Sequence, residues 1–427
     1  MNQKVLETLS KPELLSPAGD PVSLRAALDA GADAVYFGAG GLNMRMRARN
    51  FRTEDLPSIV STCREYNARA YLTLNTIVYE NECRALDSSI DAAADAGVDA
   101  VICWDHAVIQ SAARRGLAVH LSTQASVSNS RSIIRFFRND GIRRFVLARE
   151  CSLDHIRSIR SSLRAELGDE AEKIELEVFI HGAMCVSVSG RCFMSESITG
   201  DSGNRGECLQ PCRREYRIID VEGEYEFDIG RDYVMSPKDL CTMPFLEQIL
   251  TSGVHSLKVE GRMRSPEYVS AVTGAYRAAI DFFFDSPERV PGGFDELKVR
   301  LTNDMRSVFN RDFSPGYYMG RPSAAWAKTA NSQAERRKET VGVVVNYYRK
   351  AGAAEIRVQG ASFRPGDELL IQGPTTGNLS VQVESIQVEH KTVESAMQGM
   401  HVAVPVSRQV RPNDAVFRRF PAGEANL

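Results

Sequence analysis

DAGADAVYF at 29–37, DAGVDAVIC at 95–103, NDGIRRFVL at 139–147 and TSGVHSLKV at 251–259 are four versions of one local pattern. In each, a glycine suited to capping a helix C-terminus is followed by a short apolar run. The chain carries eight such runs: ELLSPA (13–18), AVYFG (34–38), AYLTLN (70–75), AVICWD (100–105), AVHLSTQ (118–124), RFVLARE (144–150), IELEVFI (174–180) and SLKVEGR (256–262). Strands that alternate with helices pair in parallel, and eight of them predict an α/β fold closed into a TIM-like (β/α)8 barrel. Helical periodicity in 265–284 and 294–310 completes the outer layer.

The barrel is expected to occupy residues 1–330, with a cysteine-rich insertion at 181–215. NSQAERRKET (331–340) is polar and charged and reads as a linker. From 341 to 427 the period changes to short strands parted by Gly, Pro and Asp turns, which predicts a small C-terminal antiparallel β-barrel domain.

A composition of 43% hydrophobic and 25% charged residues is that of a globular chain, and a net charge of -3 announces no nucleic-acid partner in bulk. MNQKVLETLSKPELLSPAGD lacks the features of a signal peptide, and no stretch approaches eighteen consecutive apolar residues. A cytoplasmic protein with no membrane partner is expected.

Barrel enzymes place their chemistry at the C-terminal ends of the strands. Those ends offer Asn75, Asp105, Gln124, Arg149, Glu150, His181, Glu260 and Arg262. Any one of them can be a helix cap or a solvated rim residue. As a set they predict a cleft, with Asn75, Gln124, His181, Glu260 and Arg262 as candidate catalytic residues. After the second strand, NMRMRARNFR (43–52) places Arg45, Arg47, Arg49 and Arg52 on the same face as candidate RNA-phosphate contacts, or as an acid-paired loop, and Arg213 and Arg214 would extend the patch.

The seventh strand leads into HGAMCVSVSGRCFMSESITGDSGNRGECLQPCR (181–213), which holds four of the nine cysteines: Cys185, Cys192, Cys208 and Cys212. Thiolates gathered in this way usually hold a metal. Zinc ribbons favour two tight C-x2-C pairs, whereas the loose, glycine-bearing spacing here suits an iron-sulfur cluster better; a structural zinc stays open. Disulfides are disfavoured by the odd cysteine count and the absence of an export signal. Cys241, read as lying early in a helix, is an alternative fourth ligand or a packed small side chain. Cys63, Cys83, Cys103 and Cys151 lack ligand spacing.

Glu177, Phe179, Gly182, Ala183, Cys185, Gly190, Cys192 and Ser195, together with ELLSPAGD, VYFG, SPKDL and LKVEGRMRSPEYV, resemble the peptidase U32 family, also called collagenase-like proteases. The layout is most similar to members that hydroxylate transfer RNA to 5-hydroxyuridine at the wobble position, independently of oxygen and with prephenate required; relatives act on ribosomal RNA or the ubiquinone ring. The resemblance implies a 4Fe-4S cluster on Cys185, Cys192, Cys208 and Cys212, prephenate as co-substrate, tRNA as partner, and iron-sulfur assembly proteins to load the cluster. Peptidase activity is the runner-up. The chain has no H-E-x-x-H and no G-x-S-x-G, and no Cys-His pairing can be read from it.

Overall fold

The computed structural model describes residues 9–214, 216–219, 221–223, 226–228, 235–285, 291–322, 325–327 and 332–423. Residues 1–8, residue 215 at the end of the insertion and residues 328–331 at the domain junction lie outside the described residues.

All eight apolar runs form strands: β1 (Glu13–Ala18), β2 (Ala34–Phe37), β3 (Arg69–Thr73), β4 (Ala100–Cys103), β5 (Ala118–Leu121), β6 (Arg144–Val146), β7 (Glu175–Gly182) and β8 (Ser256–Val259). Each neighbour pair is parallel, and β8 pairs with both β1 and β7, so the sheet closes into a barrel. At least one helix follows every strand, from Pro21–Asp29 after β1 to Pro266–Asp285 after β8, with two, Met194–Thr199 and Leu246–Leu250, between β7 and β8. The glycines of the repeated turn behave as their positions require: Gly97 and Gly141 cap their helices with φ of 76° and 67°, and Gly31 and Gly253 are left-handed as well.

The main apolar core lies between the strands and the outer helices. Inside the barrel, Leu15, Ala34, Tyr36, Tyr71, Ala100 and Ile102 form a smaller apolar cluster. Beneath it sits a charged plug. Arg144 donates to Glu13 and, at 2.6 Å, to Glu175; Tyr71 donates to Glu13 at 2.7 Å, and Lys258 pairs with Glu177 at 2.9 Å. Arg144, Lys258 and Glu177 are buried while Glu13 and Glu175 are partly exposed, and all are paired, so the lower end of the barrel is filled up to Lys258 and the C-terminal end is left for a ligand.

Two details of the seventh strand matter for the site. Lys258 of β8 is opposite Phe179, yet the next residue, Val259, is opposite His181, so β7 carries one extra residue at Ile180. Such a bulge reverses the inside-outside alternation beyond it. Beyond the bulge, Asp239–Cys241 pairs antiparallel with β7 and Phe313–Ser314 pairs with that strand in turn. Cys241 therefore lies on a strand rather than in a helix, which begins only at Leu246.

The C-terminal region is an antiparallel sheet of eight strands around its own apolar core, with Val341, Ile356, Leu369 and Val416 fully buried. Among the described residues no pairing joins its two edge strands, so the expected small barrel is realised as a wrapped sheet. Its first strand, Arg336–Tyr348, starts within the stretch read as a linker. The polar composition misleads there because the charges are cross-strand partners: Glu339 receives Arg418 at 2.6 Å, and Glu368 receives Arg336 and Arg419. The sheet docks on the barrel through Lys338 with Glu267 at 2.9 Å and Arg408 with Asp29 at 2.8 Å.

Candidate active site

Period-two alternation along β8 and its extension points Lys258, Glu260 and Arg262 to one side, and all three line a cavity at the C-terminal mouth of the barrel. Thr73 at the end of β3, Asn75 after it, Gln124 after β5, Arg149 after β6 and Phe179 of β7 complete the wall.

Glu260 is gripped by two guanidiniums, Arg45 at 2.8 Å and Arg149 at 3.4 Å. Burial alone would raise its pKa, but Arg45, Arg149 and Arg262 outweigh that and hold it at about 2. It is a fixed anion at neutral pH, suited to orienting arginines rather than to accepting a proton. Arg262 donates to Thr73 Oγ1 at 2.7 Å and Asn43 Oδ1 at 3.1 Å, both neutral. Burial and then Arg45 lower its pKa to about 10, so it keeps its charge. Asn75 accepts from the Met44 backbone at 3.1 Å and donates to Gln124 at 3.4 Å. Ser122 also donates to Gln124.

His181 does not belong to this wall. The bulge turns it outward, where its ring meets Tyr276 and Phe313 edge-on at 5.7 and 5.3 Å. It is 2% exposed, and burial followed by the charge of Arg264 pushes its pKa down to about 3. His181, expected among the candidate catalytic residues, thus lies apart from the cavity that the others line, as a neutral core side chain.

The chain leaving β7 folds over the cavity mouth. Gly182, at φ 108°, lies so near Glu260 that an added Cβ would stand 2.5 Å from its carbonyl oxygen. Beyond it, Cys185, Cys192, Cys208 and Cys212 all line the cavity, and all four are free thiols. Two sulfurs already accept backbone N–H groups, Cys192 from Met194 at 3.3 Å and Cys208 from Gln210 at 3.4 Å. Cys212 has a raised pKa, first through burial, which Arg213 opposes, with Cys185, Cys208 and Cys192 adding to it. Among the described residues, no three His, Cys, Asp or Glu side chains already stand as a metal group. Four thiols facing one cavity, two of them with N–H donors, are nevertheless a donor set that fits an all-thiolate metal or cluster.

Cys241 is outside that set. It is 2% exposed in the core, burial raises its pKa to about 11, and Tyr276 Oη lies 3.9 Å from its sulfur. Its packing supports the small-hydrophobe reading and leaves Cys212 as the fourth thiol of the cavity.

The arginine loop divides. Arg45 and Arg47 line the cavity, with Arg45 committed to Glu260 and Arg47 paired with Asp201 of the cysteine loop at 2.9 Å. Arg49 is 85% exposed with only a 3.7 Å approach to Asp20, and Arg52 is exposed outside the cavity. Arg213 is a brace, donating to Ser236 and Pro237, each at 2.7 Å, and to the Met184 carbonyl, while Arg214 is exposed. Arginine and cysteine loops touch at Gly206, φ 85°, where an added Cβ would lie 2.1 Å from the Asn43 carbonyl oxygen.

Lys258 and Tyr36, absent from the sequence expectation, form the cavity floor. Lys258 Nζ lies 4.5 Å from the Tyr36 ring centroid, and Tyr36 donates to the Val259 carbonyl at 2.8 Å. Lys258 was signalled by its spacing of two from Glu260 and Arg262, which puts all three on one strand face.

A closed barrel whose open end carries a thiol-rich loop over a polar, arginine-lined cavity defines a class of barrel enzymes. Residues 19–328 match the family model described as peptidase family U32, and the chain belongs to that family. It is 40% identical to a collagenase of Porphyromonas gingivalis, over 95% of this chain and 97% of that one. It is 33% identical to tRNA hydroxylation protein P1 of Bacillus subtilis, over 88% and 87% respectively. It is also 36% identical to the 23S rRNA 5-hydroxycytidine C2501 synthase of Escherichia coli, over 63% of this chain but only 39% of that protein. Among the described residues, no helix is long and apolar enough to cross a membrane.

Proposed function

We propose that this chain is an iron-sulfur-dependent RNA hydroxylase of the cytoplasm, forming 5-hydroxyuridine at the tRNA wobble position with prephenate as co-substrate. The observation that carries the reading is the convergence of Cys185, Cys192, Cys208 and Cys212 on the cavity that Glu260, Arg262, Asn75 and Gln124 line. Relatives named for tRNA hydroxylation and for rRNA 5-hydroxycytidine synthesis support the reaction class. The four cysteines would hold a 4Fe-4S cluster, which when bound supplies electron transfer and activation of an oxygen donor. The chain's own groups do the rest. The amides of Asn75 and Gln124 offer donor and acceptor to the edge of a splayed pyrimidine. Arg149 and Arg262 offer positive charge to an anionic co-substrate, and Glu260 keeps Arg45 and Arg149 oriented.

Purification without oxygen, followed by iron and sulfide assays, tests the cofactor. About four of each per chain are expected, and stoichiometric zinc without iron would overturn the reading.

Peptidase activity is the second reading, favoured by the name of the collagenase relative. The cavity offers it little: no histidine is among its lining residues, and of its two carboxylates, Glu150 and Glu260, the latter is locked in ion pairs. Release of peptides from gelatin by the purified chain, abolished by a cavity substitution, would restore it.

A further inference from the structure

The cysteine loop carries an apolar outer surface that binding a cluster would not use. Phe193 is 71% exposed and Val188 63%, although each neighbours residues tied into the loop. Together with Ile77, Trp104 and Arg191 they line a second pocket beside the first. The two pockets share Met44, Gln124 and Val188, so the second is continuous with the candidate active site.

Its aromatic wall is held in place. Trp104 donates its indole N–H to the Asn75 carbonyl oxygen at 3.0 Å, which anchors the ring to the strand end that forms the active cavity. The Arg191 guanidinium lies 5.7 Å from the Trp104 ring centroid and is itself fixed by Ser126 Oγ at 3.0 Å. Outside the pocket lining, Arg205 is paired with Glu82 and lies 4.8 Å from the ring of Tyr79, which is 55% exposed. An exposed Phe193 ring and a half-buried Trp104 ring with the Arg191 guanidinium beside them suit a flat, π-faced ligand on an anionic backbone, whereas an aliphatic or acidic partner would use only half of these groups.

We propose that Phe193 and Trp104 form a stacking subsite for an unpaired base adjacent to the target nucleotide of a single-stranded RNA loop, with Arg191 beside the ring platform. The inference rests on the RNA reading given above. It assigns the cysteine loop a second role, so that the segment that would bind the cluster also grips the substrate.

The chain has only two tryptophans, Trp104 and Trp326, so Trp326→Phe leaves a single reporter inside the subsite. The emission of that protein, purified without oxygen, is titrated with a uridine-containing single-stranded RNA heptamer, with the same RNA in a duplex, and with a gelatin-derived peptide. Saturable quenching by the single strand alone is expected. Phe193→Ala should weaken RNA binding roughly 5- to 100-fold. Phe193→Tyr should restore it, and iron content should be the same in all three proteins. Full RNA affinity in Phe193→Ala, or binding without quenching of Trp104, would overturn the subsite while leaving the RNA reading intact. Failure of the unaltered protein to bind the RNA would overturn both. Quenching by the peptide in place of RNA would assign the groove to a protein substrate.

Discussion

Glu260 shows how one residue can organise a site without reacting in it. Its two arginines come from opposite sides, Arg45 from the loop after β2 and Arg149 from the end of β6, and its charge orients both. Replacing it with Gln leaves two partly buried guanidiniums without their anion, and a loss of roughly 3 kcal/mol in urea unfolding is expected. An unchanged midpoint would show that solvent already compensates them. The loop arginines other than Arg45, one lining the cavity and two exposed, make a different prediction. Replacing Arg47, Arg49 and Arg52 together with Ala should weaken RNA binding and reduce the dependence of log K on log salt by up to about 2. Iron content should stay the same. Arg45 is left out of that variant because its removal would free Glu260. An equal salt slope in the triple variant would mark the loop as a solvated surface.

At the scale of elements, the repeated Gly-containing turn made the barrel legible, because each glycine marked a helix end and each apolar run a strand. The cysteine loop was legible for the same kind of reason, since thiol spacing is a local signal. What the sequence did not reveal arose from pairings between distant segments. The extra residue in β7 is visible only against β8, and it is what takes His181 out of the cavity. Cys241 was read into a helix because nothing local announces the short antiparallel pairing with β7. The charges of 336–340 resembled a linker because their partners are some thirty to eighty positions away. The contact between the cysteine and arginine loops has the same long-range character. Gly206→Ala would force a Cβ against the Asn43 carbonyl in a backbone region that disfavours side chains. Reduced iron loading and a stability loss of about 1–3 kcal/mol are expected. Full loading with an unchanged melting temperature would show that the two loops move apart freely.

The whole molecule carries three neutral imidazoles, His120 and His181 buried and His255 partly so, and these set its response to acid. Burial holds His181 at about 3 and His255 at about 4, and drives His120 well below the usual range, whereas each binds a proton near 6.5 when unfolded. Because the unfolded chain binds more protons below that value, stability is greatest above pH 6.5 and falls as the pH drops towards 4. Each histidine contributes about 1.4 kcal/mol per pH unit within the window where its folded form stays neutral. Glu260, at about 2 when folded, adds its own loss only below about 4.5. Urea midpoints measured from pH 7 to pH 5 should therefore decline steadily, and a flat profile would mean that these imidazoles are hydrated or paired.

The central claim is that the four cavity cysteines support RNA hydroxylation rather than peptide cleavage. It is tested most directly by nucleoside mass spectrometry of tRNA from a deletion strain complemented with either the unaltered chain or Cys192→Ser. A hydroxyl is a poor substitute for a thiolate towards iron. The account predicts that 5-hydroxyuridine derivatives return with the unaltered chain and stay absent with the variant, although the variant is expressed and binds RNA. Equal levels of these nucleosides in the deletion strain and in both complemented strains would contradict it.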